Sequence, residues 1–257
     1  METFDTTRPN IARVWDYWLG GKDNFAADRE LARKMLEVYP LSAQMARENR
    51  QFLGKAVTYV ASQGIGQFID VGAGLPTAVN THDVACRVTP DAKVAYVDND
   101  PVVLAHAQAL LATAPGVIAL PGDVRDPQSI LTDPGLCQLI NWAKPVCVLL
   151  CGVLHFLGAR QARRVAAAFA LAIPPGSYLI ISVGSGEENA LSDDFKAAYT
   201  AAPLHFHSLS QILTFFGGLE LVPPGVVPAR GWEAHTPLPQ LEPRQGTFYA
   251  GVGRKKP

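Results

Sequence analysis

Four short segments of this chain finish an apolar run with groups able to hold a polar ligand: FIDVGAG (68–74), YVDND (96–100), GDVRDP (122–127) and LLCGVLHFL (149–157). In the first, Gly72 and Gly74 let the backbone pass close to a ligand. The pair does not complete a dinucleotide fingerprint, because the third glycine position is Thr77, nor a P-loop, because no Lys follows. Asp70, just before these glycines, repels phosphate but suits the ammonium of an amino-acid moiety. Its other reading is a cap on backbone amides in a tight turn. Asp98, 24 residues after Gly74, sits at a spacing where an acid accepts from two ribose hydroxyls. Asp100, beside Pro101, is the better helix cap and leaves Asp98 for a ligand. Asp123 can accept from an exocyclic amine such as that of adenine, and Gly152 again permits close approach.

Other groups have two readings each. Gly20-Gly21 and the polar Lys22, Asp23 and Asn24 form either a helix C-cap with an exposed turn or part of a lid. His155 is either a general base, since its ordinary pKa suits proton removal near neutrality, or a packed core side chain. His205 and His207 lack a nearby carboxylate or Cys to complete a metal site, so no metal is expected. Trp15, Tyr17 and Trp18 read as helix core rather than a stacking platform for bases.

The elements that must position these groups follow from periodicity. Residues Ile11, Val14, Trp15, Trp18 and Leu19 recur at helical spacing, and further helices are expected from Ala27 to about Tyr39 and from Ser42 to Ala61. After Gly66 the chain alternates apolar runs (QFIDVG, KVAYVDND, VIALPGD, PVCVLLCG, SYLIISVG) with helices starting near Thr81, Pro101, Gln128, Ala159 and Leu209. Apolar strands separated by helices indicate a parallel sheet covered on both faces. LELVPPGVV and TFYAGVGRK read as a closing antiparallel pair joined by a Pro-rich connection from about Pro228 to Pro243.

The 257 residues are 48% hydrophobic and 18% charged, with a net charge of -1, which suits a globular core and gives no electrostatic reason to expect nucleic acid or an anionic membrane as partner. The polar start METFDTTRPN does not read as a secretory signal, and the most apolar stretch, 145–158, is too short for a membrane span. A cytoplasmic protein with reduced cysteines is expected. Composition leaves the oligomeric state open.

Taken in order, DVGAG, YVDND, GDVRDP and LLCGVLHFL resemble the class I S-adenosylmethionine-dependent methyltransferases over about 67–256. The stretches RVWDYWLGGKDNFAADRE and GLPTAVNTHDVA resemble more narrowly a group of such proteins common in actinobacteria. The resemblance implies a Rossmann-like, doubly wound α/β fold with a seven-stranded mixed sheet (66–257) behind an N-terminal helical lid (1–65). It also implies S-adenosyl-L-methionine as cofactor and methyl transfer by in-line displacement. Carried over, it puts Gly72 and Gly74 over the methionine part with Asp70 at its amino group. Asp98 would take the ribose, Asn99 the flank of the adenine, Asp123 and Val124 its amine and ring, and Cys151 and Gly152 the floor beneath the sulfonium. Tyr17, Gly21 and Asn24 would close over the methionine moiety, and His155 would stand near the substrate. Trp18, Phe25 and Trp232 suggest a small, partly apolar substrate. A non-catalytic binder on the same fold is the competing reading. An NAD-type oxidoreductase is disfavoured by Thr77.

Overall fold

The computed structural model describes residues 5–77, 79–186, 190–241 and 247–256. Its centre is built from strands with no exposed face: Gln67–Val71 (β1) and Tyr178–Ser185 (β5) are buried throughout, and Cys147–Cys151 (β4) is buried except at its last residue, Cys151. Lys93–Asp98 (β2) and Val117–Pro121 (β3) complete a five-stranded parallel unit in the spatial order β3-β2-β1-β4-β5. Strand order reverses between β1 and β4, and a crevice at the carboxyl ends beside such a reversal is where open α/β sheets take ligands.

Thr247–Arg254 (β8) adds antiparallel to β5, and Glu220–Leu221 (β6) pairs antiparallel to β8 beyond it. The stretch expected as a single strand, LELVPPGVV, is instead split into β6 and Val227–Pro228 (β7), which pairs with another part of β8. Pro223 and Pro224 between them have no N–H to give a ladder. The sheet therefore has eight strands where seven were expected. The connection beyond Pro228 includes residues 242–246 and Pro243, which lie outside the described residues.

The three N-terminal helices form where the periodicity places them: Ile11–Trp18 (α1), Ala26–Val38 (α2) and Ser42–Ser62 (α3). Thr81–Val88 (α4) and Pro101–Leu110 (α5) follow β1 and β2. The helix expected near Gln128 is two short ones, Pro127–Leu131 (α6) and Pro134–Leu139 (α7). Asp133 caps the second, accepting from the amides of Gly135 and Leu136, and Pro134 takes its first position. Ala159–Ala172 (α8) and Leu209–Thr214 (α10) occur as read, while Ala190–Ala198 (α9) was not anticipated.

Period-two alternation divides the core. Phe68, Val94, Tyr96, Leu149 and Ile180 face α3 and α4, where Phe52, Leu53, Val57, Val60 and Val84 pack onto them. Ile69, Val71, Val97, Val148, Leu150 and Ile181 face the opposite layer with Leu136, Val165 and Phe169. Thus α3 is part of the layer on the sheet. Helices α1 and α2 share a separate cluster, with Val14, Trp18, Leu31 and Met35 packed beside Tyr199.

Candidate functional site

The same alternation carries a chemical consequence at the strand ends. Counting in twos from Phe68, from Tyr96 and from Leu149 puts Asp70, Asp98 and Cys151 on the α3 side of the sheet, where β1, β2 and β4 terminate. Helix α3 presents an apolar stripe as far as Phe52. One turn earlier, Asn49 and Arg50 take over where the helix passes the strand ends. Helix α1 crosses in front with Ile11, Ala12, Trp15, Asp16 and Leu19. Together these border a cavity of about 290 Å³, near the lower end of the size for small-molecule sites.

Asp70, Gly72, Gly74, Asp98, Asn99, Asp123, Val124, Cys151 and Gly152 all border this cavity. Gly72 has φ +73°, and a Cβ there would lie 2.1 Å from Val153 Cγ1, so both conformation and space require glycine. Its N–H donates to Val97 O at 2.7 Å, pinning the turn to β2. Asp70 accepts from Thr81 Oγ1, in the first turn of α4, at 2.6 Å. Burial pushes its carboxyl above the ordinary range, against the hydrogen bond from Thr81 and the positive charge of Arg50. Asp98 accepts from the amides of Gly74 and Asp100, each at 3.0 Å, so it shapes the glycine turn as well as facing the cavity. Burial raises its pKa too, opposed by those amides. Asp123 is held by Arg125, whose Nε lies 2.9 Å from both carboxylate oxygens, and that hydrogen bonding lowers its pKa. The Cys151 thiol is pushed up to about 12 by burial, which keeps it neutral in the cavity floor.

Tyr17, Gly21, Asn24 and His155 are not among the residues that border the cavity. Gly21 and Asn24 hold a residue that is. Asp16, buried and with its pKa raised by burial, accepts from Asn24 Nδ2 at 2.7 Å and from the Asp23 amide at 2.9 Å. The Gly21 amide donates to Asp16 O at 2.8 Å, and a Cβ on Gly21 would lie 1.8 Å from Asp16 Oδ1. Trp18 packs in the α1–α2 cluster, donating to Ala32 O at 3.2 Å, and Trp232 lies edge-on to Phe52 beneath α3. Neither they nor the exposed Phe25 reach the cavity. Its aromatic walls are Trp15 and Phe156.

His155 is 4% exposed, with its ring 4.3 Å from Phe156 and 5.4 Å from Phe248 between centroids. Its Nδ1 has no hydrogen-bond partner among the described residues. Burial, with His207 nearby, lowers its pKa to about 3. A depressed imidazole pKa makes the unfolded chain bind the extra proton first, so stability is full above pH 6.5 and is lost as pH falls from there toward 3. The expected result is that wild type loses about 2 kcal/mol between pH 7 and pH 5 on account of this ring. His155→Phe should lack that share in denaturant titrations at the two pH values, and an unchanged difference would sink the assignment.

Helix α1 is fixed by an unusually buried polar joint. Asp28, in the first turn of α2, accepts from the amides of Asn10 and Phe25, each at 2.8 Å, and pairs with Arg13 Nε at 2.9 Å. Arg13 Nη2 also donates to Arg8 O at 2.7 Å. Asn10 in turn donates through Nδ2 to Asp100, the cap of α5, joining α1 to the end of β2.

The residues that sequence reasoning overlooked are Asn49, Arg50 and Asp16. Asn49 was detectable in principle, because it interrupts the buried stripe of α3 formed by Ala46, Phe52, Leu53, Ala56 and Val60. Nothing in the spacing of Arg50 or Asp16 marks them as facing a cavity.

No helix among the described residues is long and apolar enough to cross a membrane, and no group of three potential metal ligands occurs among them. A family model described as S-adenosyl methyltransferase matches residues 1–256. No curated protein matches the chain. Among solved structures, a candidate methyltransferase from Thermobifida fusca YX is 40% identical. It aligns over 98% of this chain and 97% of its own with a TM-score of 0.90. A DUF574 family protein from Streptomyces avermitilis MA-4680 is 32% identical over 98% of this chain and 99% of its own, with a TM-score of 0.88. Magnesium protoporphyrin IX methyltransferase from Synechocystis PCC 6803, with bound SAH, shares the fold at 14% identity. It aligns over 95% of this chain and 98% of its own, with a TM-score of 0.53.

Proposed function

Because the chain belongs to the S-adenosyl methyltransferase family and is therefore an S-adenosylmethionine-dependent methyltransferase, we propose that the cavity at the β1–β4 strand ends holds that cofactor and a small-molecule methyl acceptor. The observation that carries the site assignment is the convergence of Asp70, Asp98, Asn49 and Arg50 on one cavity from two layers of the fold. When bound, S-adenosylmethionine supplies an electrophilic sulfonium methyl that a nucleophile takes by in-line displacement.

The chain's own residues bind and orient. Asp98, facing the cavity with lone pairs beyond those given to the Gly74 and Asp100 amides, accepts from the ribose hydroxyls. Asn99 and Val124 flank the adenine, and Asp123 contributes only the lone pairs that Arg125 leaves. Asp70 faces the amino group and Arg50 the carboxylate of the methionine end, a pairing of opposite charges with opposite charges. Neutral Cys151 and Gly152 form the floor. Trp15 and Leu53, from α1 and α3, exclude water from the transfer region, where positioning in a dry site supplies much of the rate. Helices α1 and α2 serve as the lid: Gly21 and Asn24 support Asp16 rather than touching the ligand, and Tyr17 packs in the α1–α2 cluster with Arg33 over its ring. His155 packs the core and is not the base.

A small, partly apolar acceptor fits the modest cavity with its Phe156, Leu157 and Pro203 wall, and the net charge of -1 favours no polyanion. Placement in the narrower group marked by the DYWLGGKDNFAADR segment is supported by the Thermobifida and Streptomyces relatives, whose alignment takes in 98% of the chain. Titration calorimetry should show S-adenosylhomocysteine binding and no NAD binding. Incubation with methyl-labelled S-adenosylmethionine and a whole-cell extract should yield a labelled small molecule. Absence of S-adenosylhomocysteine binding would overturn the site, and label found only on protein or nucleic acid would overturn the acceptor class.

A further inference from the structure

Asn49 is 6% exposed and borders the cavity, yet its Oδ1 is buried with no hydrogen-bond partner among the described residues. A buried acceptor left unpaired costs free energy, and an Asn within an otherwise apolar helical stripe is a poor choice for packing alone. Its position narrows what would satisfy it. Arg50, the next residue on α3, acts electrostatically on Asp70 at the end of β1. Asn49 instead stands over the end of β4: a Cβ built on Gly152 would lie 3.4 Å from Asn49 Nδ2 and 3.7 Å from the Trp15 ring. Past Gly152 the cavity continues along Val153, Phe156, Leu157 and Pro203, an apolar wall with no group for the polar parts of a cofactor.

We propose that Asn49 determines acceptor specificity: its Oδ1 takes a hydrogen bond from the N–H or O–H of the methyl acceptor at the point of transfer, selecting hydroxyl or amine nucleophiles. This rests on the cofactor placement proposed above. As the new C–N or C–O bond forms, the sulfonium C–S bond breaks, neutral S-adenosylhomocysteine is left, and the acceptor's proton passes to solvent water, because the amide cannot take it up at neutral pH. It holds the donor so that a lone pair on the same nitrogen or oxygen faces the methyl, against the apolar wall that receives the rest of the molecule.

Sinefungin provides a probe without knowledge of the substrate, because a carbon replaces its sulfur and bears an amine where the sulfonium methyl would be, whereas S-adenosylhomocysteine carries nothing there. Calorimetry with both ligands on wild type, Asn49→Leu and the near-isosteric Asn49→Asp is the test. Asn49→Leu should weaken sinefungin about tenfold, as expected for one hydrogen bond to a charged donor, and change S-adenosylhomocysteine by about twofold or less. Asn49→Asp should bind sinefungin at least as well as wild type. Equal weakening of both ligands would assign Asn49 to the shared amino-acid end, and unchanged binding of both would make it a structural residue; either result overturns the proposal. If wild type fails to bind S-adenosylhomocysteine, the cofactor placement itself falls, a distinct outcome. Should Asn49→Leu not fold, a loss of sinefungin preference in Asn49→Asp decides against the proposal on its own.

Discussion

Asp98→Ala is expected to weaken S-adenosylhomocysteine binding by about a hundredfold or more. Two hydrogen bonds to a charged acceptor at roughly 1.5–3 kcal/mol each account for that loss. The substitution has a second effect, because Asp98 also accepts from the amides of Gly74 and Asp100. Without it Gly74 loses its acceptor, and only the Gly72 amide's bond to Val97 O at 2.7 Å still ties the turn to β2, so the cavity-facing backbone is less firmly preformed. Asp98→Asn keeps the size and one acceptor oxygen, so an intermediate loss should follow. The measurement is calorimetry at constant pH and salt, with a thermal melt to show the variants are folded. Affinity within about threefold of wild type for folded Asp98→Ala would remove Asp98 from the site.

The largest expected stability effect lies away from the cavity, at Asp28. Its carboxylate is fully buried, serves two backbone amides and neutralises Arg13, which is itself 4% exposed at the side chain. Asp28→Ala leaves a buried guanidinium with its charge uncompensated, a defect that costs about 3–5 kcal/mol. For a chain of this size that corresponds to a fall in melting temperature of about 10 °C. Replacing both partners by apolar residues, Arg13→Met with Asp28→Leu, should recover the share due to the uncompensated charge, but not the share from the Asn10 and Phe25 amides, which Leu leaves without an acceptor. A single-variant loss below about 1 kcal/mol would mean that α1 and α2 are joined by their apolar cluster alone. Since Asp28 holds the amide of Asn10, and Asn10 reaches Asp100, the same variant should also bind S-adenosylhomocysteine more weakly.

Much of this architecture was legible in the sequence because the signals were strong and local. Five apolar runs of strand length gave the parallel unit, Asp100-Pro101 gave the start of α5, and the strand-end residues Asp70, Asp98, Asp123 and Cys151 singled out in the sequence border one cavity. What escaped reading was set by tertiary geometry. Splitting of the strand before β8 depended on which partner each half could reach around Pro223 and Pro224. The GGKDNF segment looked ligand-facing because its residues are polar and glycine-rich. Those same properties serve to wrap the Asp16 carboxylate, a role visible only once the loop is folded back on α1. His155 was readable from its type either as a base or as a packed core side chain, and only the fold shows its burial beside Phe156 and Phe248, which with His207 nearby holds its pKa low. Asn49 and Arg50 lie in a helix more than a dozen residues before the first glycine-rich turn, and only the crossing of α3 over β1 and β4 brings them to it.

The space missing at Gly21 bears on any attempt to redirect this protein by randomised mutagenesis. With only 1.8 Å between a Cβ there and Asp16 Oδ1, positions 16 and 21 form one combinatorial unit: a larger residue at 21 survives only alongside a smaller one at 16. Leu157 and Pro203 share no such constraint with the loop. A library that diversifies those two while freezing the 16–21 pair keeps most of its members folded, and one that varies 21 alone spends its diversity on chains whose pocket wall has already been displaced.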